Sequence, residues 1–316
     1  MYSKQEMIKV AKLYYELGLT QKQIAEQLSY SRPTISRILE AAMKSGIVEV
    51  NIRYSLDSVD YLSKQLQQRF DLKKAFVAPV FVNKADLIMA DVGKALANYL
   101  YDICQENDIL GVSWGKTLTC VADHLQPKKV PSMQIVQLNG GVAQNSFATG
   151  SMTILEHFSK NFDADAHLLY APTIVDSEEI AHVLMTDSNL QRVIALGKKA
   201  NIAVFGIGRP SYDSVLYQAG YFKEDSYQTL LKKGAVGDIC SRYYKIDGSL
   251  VDQNLNKRTI GLQLDELQQK EHAIAIAVGT EKAQAVLGAL RGKFLSTLFV
   301  DEYLAKEIIH LDQAMK

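Results

Sequence analysis

Four short segments carry residue types suited to holding an anion beside a set of hydroxyl groups. They are Gly111-Val112-Ser113-Trp114-Gly115-Lys116-Thr117, Asn139-Gly140-Gly141, Gly206-Ile207-Gly208 and Val278-Gly279-Thr280-Glu281-Lys282. Glycine lets backbone approach a ligand closely, and free N–H groups at a helix start stabilise negative charge. Lys116 and Lys282 add positive charge to two of the segments. Converging in space, such loops suit a phosphorylated small molecule with hydroxyl groups. Two sharper motifs fall short. The first segment resembles a Walker A loop but has three residues, not four, between Gly111 and Gly115-Lys116-Thr117. A nucleoside triphosphatase also wants a magnesium-binding Asp after a neighbouring strand, for which Asp301 is the candidate. Gly206-Ile207-Gly208 lacks the third glycine of a dinucleotide fingerprint, since Pro210 and Tyr212 follow.

A second chemistry lies at residues 20–46. Thr20 precedes a helical pattern as N-cap, with Gln23 three residues on as in a capping box. Ile24, Ala25 and Leu28 face inward. Ser29-Tyr30-Ser31 makes a turn, where many comparable turns have Gly at the position of Ser29. Ser31 caps a further helix, with Pro33 in its first turn. Ile35, Ile38, Leu39 and Ala42 form its buried stripe. Gln21, Ser31, Arg32, Pro33, Thr34, Ser36 and Arg37 are left for the outer edge. Arginine pairs bidentately with guanine, and hydroxyls and helix N-terminal amides suit phosphates. The spacing is that of a helix-turn-helix whose second helix enters the major groove.

Elements that position these groups are legible from periodicity. Met7, Val10, Ala11, Tyr14 and Leu17 predict an amphipathic helix near residues 5–17, with Gly18 as its cap. Ile47–Arg53 alternates apolar and polar, which predicts a short strand or wing. Leu56, Val59, Leu62, Leu66 and Phe70 predict a helix that docks on the body or pairs with another subunit. From residue 75, apolar runs alternate with helical patterns: 75–80, 109–112, 135–138, 168–170, 202–205, 273–278 and 297–300. That is the signature of a parallel sheet covered by helices, an α/β domain binding ligands beyond its strand ends.

The chain's 316 residues imply two domains, residues 1–53 and 54–316. At 47% hydrophobic and 22% charged, the composition excludes a disordered chain. Net charge is zero, but residues 1–53 hold eight basic and five acidic side chains, leaving +3 on the head and −3 on the body. A modestly basic head suits phosphate contact at one end only. The amino terminus lacks the apolar stretch of a secretory signal, no run is long enough to span a membrane, and three cysteines fit neither a disulfide framework nor a zinc site. A cytoplasmic protein needing no cofactor or metal is expected.

SRPTISRILEAAMKSGIVEV, GVSWGKTL, VQLNGG, GAVGDICSRYY and VGTEKAQAVLGALRGKFLSTLFVDE, in that order, resemble the SorC family of bacterial transcriptional regulators. The resemblance covers essentially the whole chain. It implies a helix-turn-helix domain that binds operator DNA, joined to a Rossmann-like effector domain similar to sugar-phosphate isomerases and deaminases. It implies repression of a carbohydrate or nucleoside operon, a phosphorylated sugar as effector, and a tetramer built as a dimer of dimers. Carried over, the effector site falls on Ser113, Gly115, Lys116, Thr117, Asn139, Gly140, Gly141, Asp238, Gly279 and Lys282. Lys116, Lys282 and the glycine amides then suit phosphate, and Asn139 and Asp238 suit sugar hydroxyls or a carbonyl. Some relatives carry Lys or Arg at position 139; Asn brings neither charge nor a nucleophilic amine. The competing expectation is an isomerase- or deaminase-like enzyme carrying a DNA-binding head, with Asp238 its sole candidate base.

Overall fold

The computed structural model describes residues 2–49, 57–141 and 150–315. It divides into two compact units, Met1–Ser55 and Leu56–Lys316.

The first unit is helical. Helix α1 (Lys4–Ala11) runs into a π-helical turn at Lys12–Glu16, followed by α2 (Gln21–Leu28) and α3 (Arg32–Lys44). Each α-helix opens on its own cap: Ser3 and Glu6 form a capping box, as do Thr20 and Gln23, and the Ser31 hydroxyl accepts from the Thr34 amide. Val10, Ile24, Ala25, Ile35, Ile38 and Leu39 bury the apolar stripes against one another. Gly18 has φ +67°, so the single helix predicted near 5–17 ends where expected but loosens to a wider turn after Ala11. Of the expected strand or wing at Ile47–Arg53, only residues 47–49 are described, and they are not a strand. The Ile47 and Val48 amides both bond the Ala42 carbonyl, at 2.9 and 3.2 Å, wrapping the chain over the end of α3. Residues 47–49 have no ladder partner and form no strand; 50–53 lie outside the described residues.

The second unit begins with α4 (Asp57–Phe70). Val59, Leu62 and Leu66 are buried in the core shared with the sheet, so this helix docks on the body, at roughly 1.5–3 kcal/mol per large apolar side chain. Leu56, the first residue of the predicted stripe, lies outside the described residues. The sheet then builds as β1 (Lys74–Ala78), α5 (Ala85–Ile103), β2 (Ile109–Val112), α6 (Lys116–Asp123), β3 (Gln134–Gln137), α7 (Ser151–Phe162) and β4 (Asp165–His167). It continues through α8 (Glu178–Met185), α9 (Ser188–Lys199), β5 (Ile202–Gly206), α10 (Val215–Gln218) and α11 (Glu224–Lys232). An antiparallel hairpin, β6 (Gly237–Ile239) and β7 (Arg242–Tyr244), stands outside the main sheet. The unit ends with α12 (Gln253–Lys257), α13 (Leu264–Gln268), β8 (His272–Ile276), α14 (Ala283–Arg291), β9 (Thr297–Asp301) and α15 (Glu302–Ala314).

The seven main strands are all parallel, in the order β1-β9-β8-β5-β2-β3-β4. From β2 the chain steps outward to β3 and β4; from β5 it steps the other way to β8 and β9. The neighbouring ends of β2 and β5 are therefore the switch point, where outgoing loops diverge and leave a crevice. One strand was misplaced by its apolarity. The run 168–170 lies just beyond β4, which is an edge strand whose own residues are exposed or half-buried. Leu169 is buried, but in a satellite cluster with Ala171, Val175, Ala181, Ile194 and Ile260. Apolar character there marks packing, not pairing.

Candidate functional site

A cavity of about 280 Å³ opens at this switch point. Ser113, Gly115, Lys116 and Thr117 line it from the loop after β2, with Asn139 after β3, Asp238 at β6 and Lys282 before α14. Seven of the ten residues expected at an effector site thus share one cavity, although their loops are up to 169 positions apart in sequence. Gly140, Gly141 and Gly279 do not line it. They shape it from behind. A side chain at Gly140 would meet the Pro172 carbonyl at 2.5 Å, and the Gly140 carbonyl accepts from Trp114 Nε1 at 2.9 Å. Gly279 gives its amide to Asp301 Oδ2 at 2.8 Å.

Asp301, the candidate magnesium ligand of a triphosphatase, is thereby occupied: its other oxygen caps α15 through the Leu304 amide at 3.0 Å. Its strand β9 is separated from β2 by β8 and β5. That geometry does not make a Walker pair.

Gly115 has φ +119° and no side chain caps α6, so the first amides of that helix open toward the cavity. Lys116 stands exposed beside them. Further lining residues escaped the reading of the sequence, among them Arg209, Ser211 and Asp213 from the loop after β5, and Ser241. Arg209 and Asp213 pair at 3.3 Å, and the Ser211 hydroxyl donates to the same carboxylate. The signal in the sequence is the polar segment that follows Gly206-Ile207-Gly208. The lining cations are Lys116, Arg209 and Lys282, and the lining carboxylates Asp213, Asp238 and Glu281. The cavity is therefore a mixed site that matches an anion joined to hydroxyls better than a bare anion.

Burial raises the Asp238 carboxyl to about 6, with Lys282 pulling back the other way. Lys282 is lowered by the same desolvation, which Glu281 and Asp238 oppose. Asp238 is held in place by backbone: its amide and carbonyl both pair with Gly208, at 3.1 and 3.0 Å. Cys240 and Ser241 form the two-residue tip of the β6–β7 hairpin and also line the cavity. Both have positive φ, +49° and +67°, a left-handed pair that glycine and asparagine adopt more readily. Burial pushes the Cys240 thiol up to about 12. Arg242, 1% exposed, anchors this hairpin from below. Its guanidinium donates to the Leu262, Asn256, Thr259 and Gly261 carbonyls and to Asn256 Oδ1, at 2.6–2.9 Å.

In the first unit, Arg32, Pro33, Ser36 and Arg37 are exposed on the opening turns of α3, and Gln21 is half-exposed at the start of α2. Ser31 and Thr34 face each other with their hydroxyls 2.8 Å apart. Arg32, Ser36 and Arg37 are exposed beside that contact. Among the described residues no helix is long and apolar enough to cross a membrane, and no cluster of His, Cys, Asp and Glu has the arrangement of a metal site.

Comparison with known proteins agrees with both units. A family described as "Putative sugar-binding domain" matches residues 56–310, and a homeodomain-like domain matches residues 3–50. The deoxyribonucleoside regulator of Bacillus subtilis is 36% identical over 305 residues, 96% of either chain. The sorbitol operon regulator of Klebsiella pneumoniae is 30% identical over 308 residues, covering 96% of this chain and 97% of that one. The crystal structure of full-length SorC, the sorbitol operon regulator from Klebsiella pneumoniae, superposes with a TM-score of 0.77 at 30% identity, covering 98% of this chain and 99% of that one. With its helix-turn-helix head and sugar-binding body, this chain belongs to the SorC family of DNA-binding transcriptional regulators.

Proposed function

We propose that this regulator represses a sugar or nucleoside catabolic operon and is controlled by a phosphorylated sugar bound in the switch-point cavity. Residues 1–53 serve as the DNA-binding domain, and residues 54–316 as the effector and oligomerisation domain. The observation that carries this reading is the cavity itself. The uncapped start of α6, with Lys116 beside it, suits a phosphate, while Asn139, Asp238 and Ser241 offer hydroxyl partners on another wall. The sorbitol and deoxyribonucleoside names of the relatives support a ligand of the sugar or nucleoside kind. A head with a net charge of +3 binds DNA weakly alone, so specific binding uses several heads held by the body in a tetramer, a dimer of dimers. The effector acts by favouring one arrangement of those heads over another.

Thermal unfolding of the full chain against pentose and hexose phosphates, each beside its unphosphorylated parent, tests the effector. A ligand that binds only the native state raises the unfolding temperature by mass action. One clear stabiliser among the phosphates is expected; a panel with no phosphate response rejects the phosphate reading. Arg37→Ala is expected to weaken operator binding and lower the salt slope by about 1, with ligand binding unchanged.

One observation favours a second reading, an isomerase- or deaminase-like enzyme. An acid with its pKa near 6 beside a lysine is suited to proton transfer. Turnover of a sugar phosphate that Asp238→Asn abolishes would support it over regulation alone.

A further inference from the structure

Among the described residues, one that lines the cavity carries a buried polar group with nothing to bond. Asn139 is 1% exposed, and its Oδ1 has no hydrogen-bond partner among the described residues. Its Nδ2 donates to Ser241 Oγ at 3.1 Å. The same Ser241 oxygen accepts from Thr173 Oγ1 at 2.8 Å, which leaves the Ser241 O–H proton unused in either contact. Both residues line the cavity. Neither can turn away. The Asn139 carbonyl is held by Gln137 Nε2 at 2.7 Å, and its backbone bridges to Gly261. Ser241 sits in the hairpin tip that Arg242 bolts to residues 256–262.

A buried amide end without a partner costs roughly 1–3 kcal/mol, so a rigid one on a residue that lines a cavity is a site awaiting its complement. The amide can be placed either way round, and in both orientations one end meets Ser241 while the other has no partner among the described residues. Phosphate and carboxylate oxygens only accept, and ammonium only donates. A hydroxyl does both, so it alone among sugar substituents satisfies either orientation.

We propose that Asn139 and Ser241 form a hydroxyl-reading subsite, which requires the effector to carry a hydroxyl group at the carbon that faces them. This rests on the reading of the cavity as a sugar-phosphate site and adds a rule of selection to it. A sugar phosphate lacking that one hydroxyl leaves the amide unpaired and is rejected about ten- to hundredfold. Charge at the other end gives affinity; this subsite decides which sugar.

The test is calorimetric titration of the full chain with sugar phosphates, their singly deoxygenated analogues, and the unphosphorylated parents of both. Ribose 5-phosphate and 2-deoxyribose 5-phosphate form one such pair. For the best binder, removal of one particular hydroxyl is expected to weaken binding tenfold or more. Asn139→Leu, similar in size but apolar, is expected to shrink that ratio below about threefold. Ser241→Gly suits the positive φ at this position, so it folds while removing the hydroxyl, and is expected to act the same way. A binder whose affinity is indifferent to loss of each hydroxyl in turn overturns the subsite and leaves the effector reading standing. So does a discrimination that survives both substitutions. If only unphosphorylated sugars bind, and do so with the hydroxyl ratio, the phosphate reading fails and the subsite stands. No binding by any sugar, phosphorylated or not, overturns both.

Discussion

Gly208 and Asp238 exchange both backbone hydrogen bonds, at 3.0 and 3.1 Å, and so tie the loop after β5 to the hairpin that carries the acid of the cavity. The approach is close enough that a β-carbon at position 208 would lie 2.1 Å from Asp238 Oδ1. Position 208 therefore has no room for a side chain while Asp238 keeps its place. Gly208→Ala is expected to rotate or displace the carboxylate, weakening effector binding at least tenfold while leaving operator affinity without effector unchanged. Calorimetry with the stabilising sugar phosphate, beside an operator-binding assay, checks both halves.

Asp238 also predicts a pH dependence. Its carboxyl is raised by burial from 3.8 to about 6, so between those values the folded chain binds more protons than the unfolded one. Stability from this group is complete below the unfolded value and is lost as pH rises through the folded one. Asp238→Asn removes the titration. The difference in urea midpoint, variant minus wild type, is expected to grow in favour of the variant from pH 4 to 7 and to be flat above that. A difference that does not change with pH contradicts the raised value.

The sequence carried most of the large architecture because the physics behind it is local. The apolar runs at Ile109–Val112, Ile202–Gly206 and Thr297–Asp301 are parallel strands inside the sheet, buried on both faces as their continuous apolarity demands. Lys116, Asn139, Asp238 and Lys282 were findable singly, but periodicity does not say which strand ends adjoin. The order β9-β8-β5-β2-β3 brings them together, and it is a property of long-range pairing. Ser241 was missed for a different reason. A two-residue hairpin normally advertises itself with Asn-Gly or Asp-Gly, and Cys240-Ser241 offers no such signal while adopting the same left-handed pair. Arg242 is hidden likewise. An arginine that opens a three-residue hairpin strand reads as exposed, yet it is enclosed by carbonyls of residues 14–20 positions on.

Arg242 is expected to be among the most sensitive positions of the body. Its partners are mainly backbone carbonyls, so its charge is solvated by dipoles of the 256–262 segment in place of a carboxylate. Arg242→Met keeps much of the volume and removes every donor. Four buried carbonyls then lose a partner, for a loss of about 3–5 kcal/mol, given that each unpaired group costs ~1–3 kcal/mol and the segment relaxes in part. Arg242→Lys is expected to recover less than half of that, since one ammonium cannot span the fork of acceptors. Urea unfolding measures both, and a loss under about 1 kcal/mol for the methionine variant would mean the segment is held by other contacts.

Ser29 makes the opposite kind of prediction, a substitution that stabilises. It ends α2 at φ +56°, ψ +37°, the left-handed conformation that glycine adopts without penalty. An L-residue there is disfavoured by roughly 1–2 kcal/mol, and glycine gives back about 0.5–1 kcal/mol through its freer unfolded chain. Serine's hydroxyl makes no hydrogen bond that would offset this among those of the described residues, while the neighbouring Tyr30 hydroxyl is tied to Glu6 at 2.8 Å and holds the turn independently. Ser29→Gly is therefore expected to stabilise the head by about 0.5–1 kcal/mol, and Ser29→Val, β-branched in a left-handed position, to destabilise it by at least as much. Hydrogen exchange at the Ile24 and Ile38 amides in the full chain reads the head separately from the body. Slower exchange in the glycine variant and faster exchange in the valine variant are the expected pair; the reverse order would mean that the turn between α2 and α3 is not left-handed in solution.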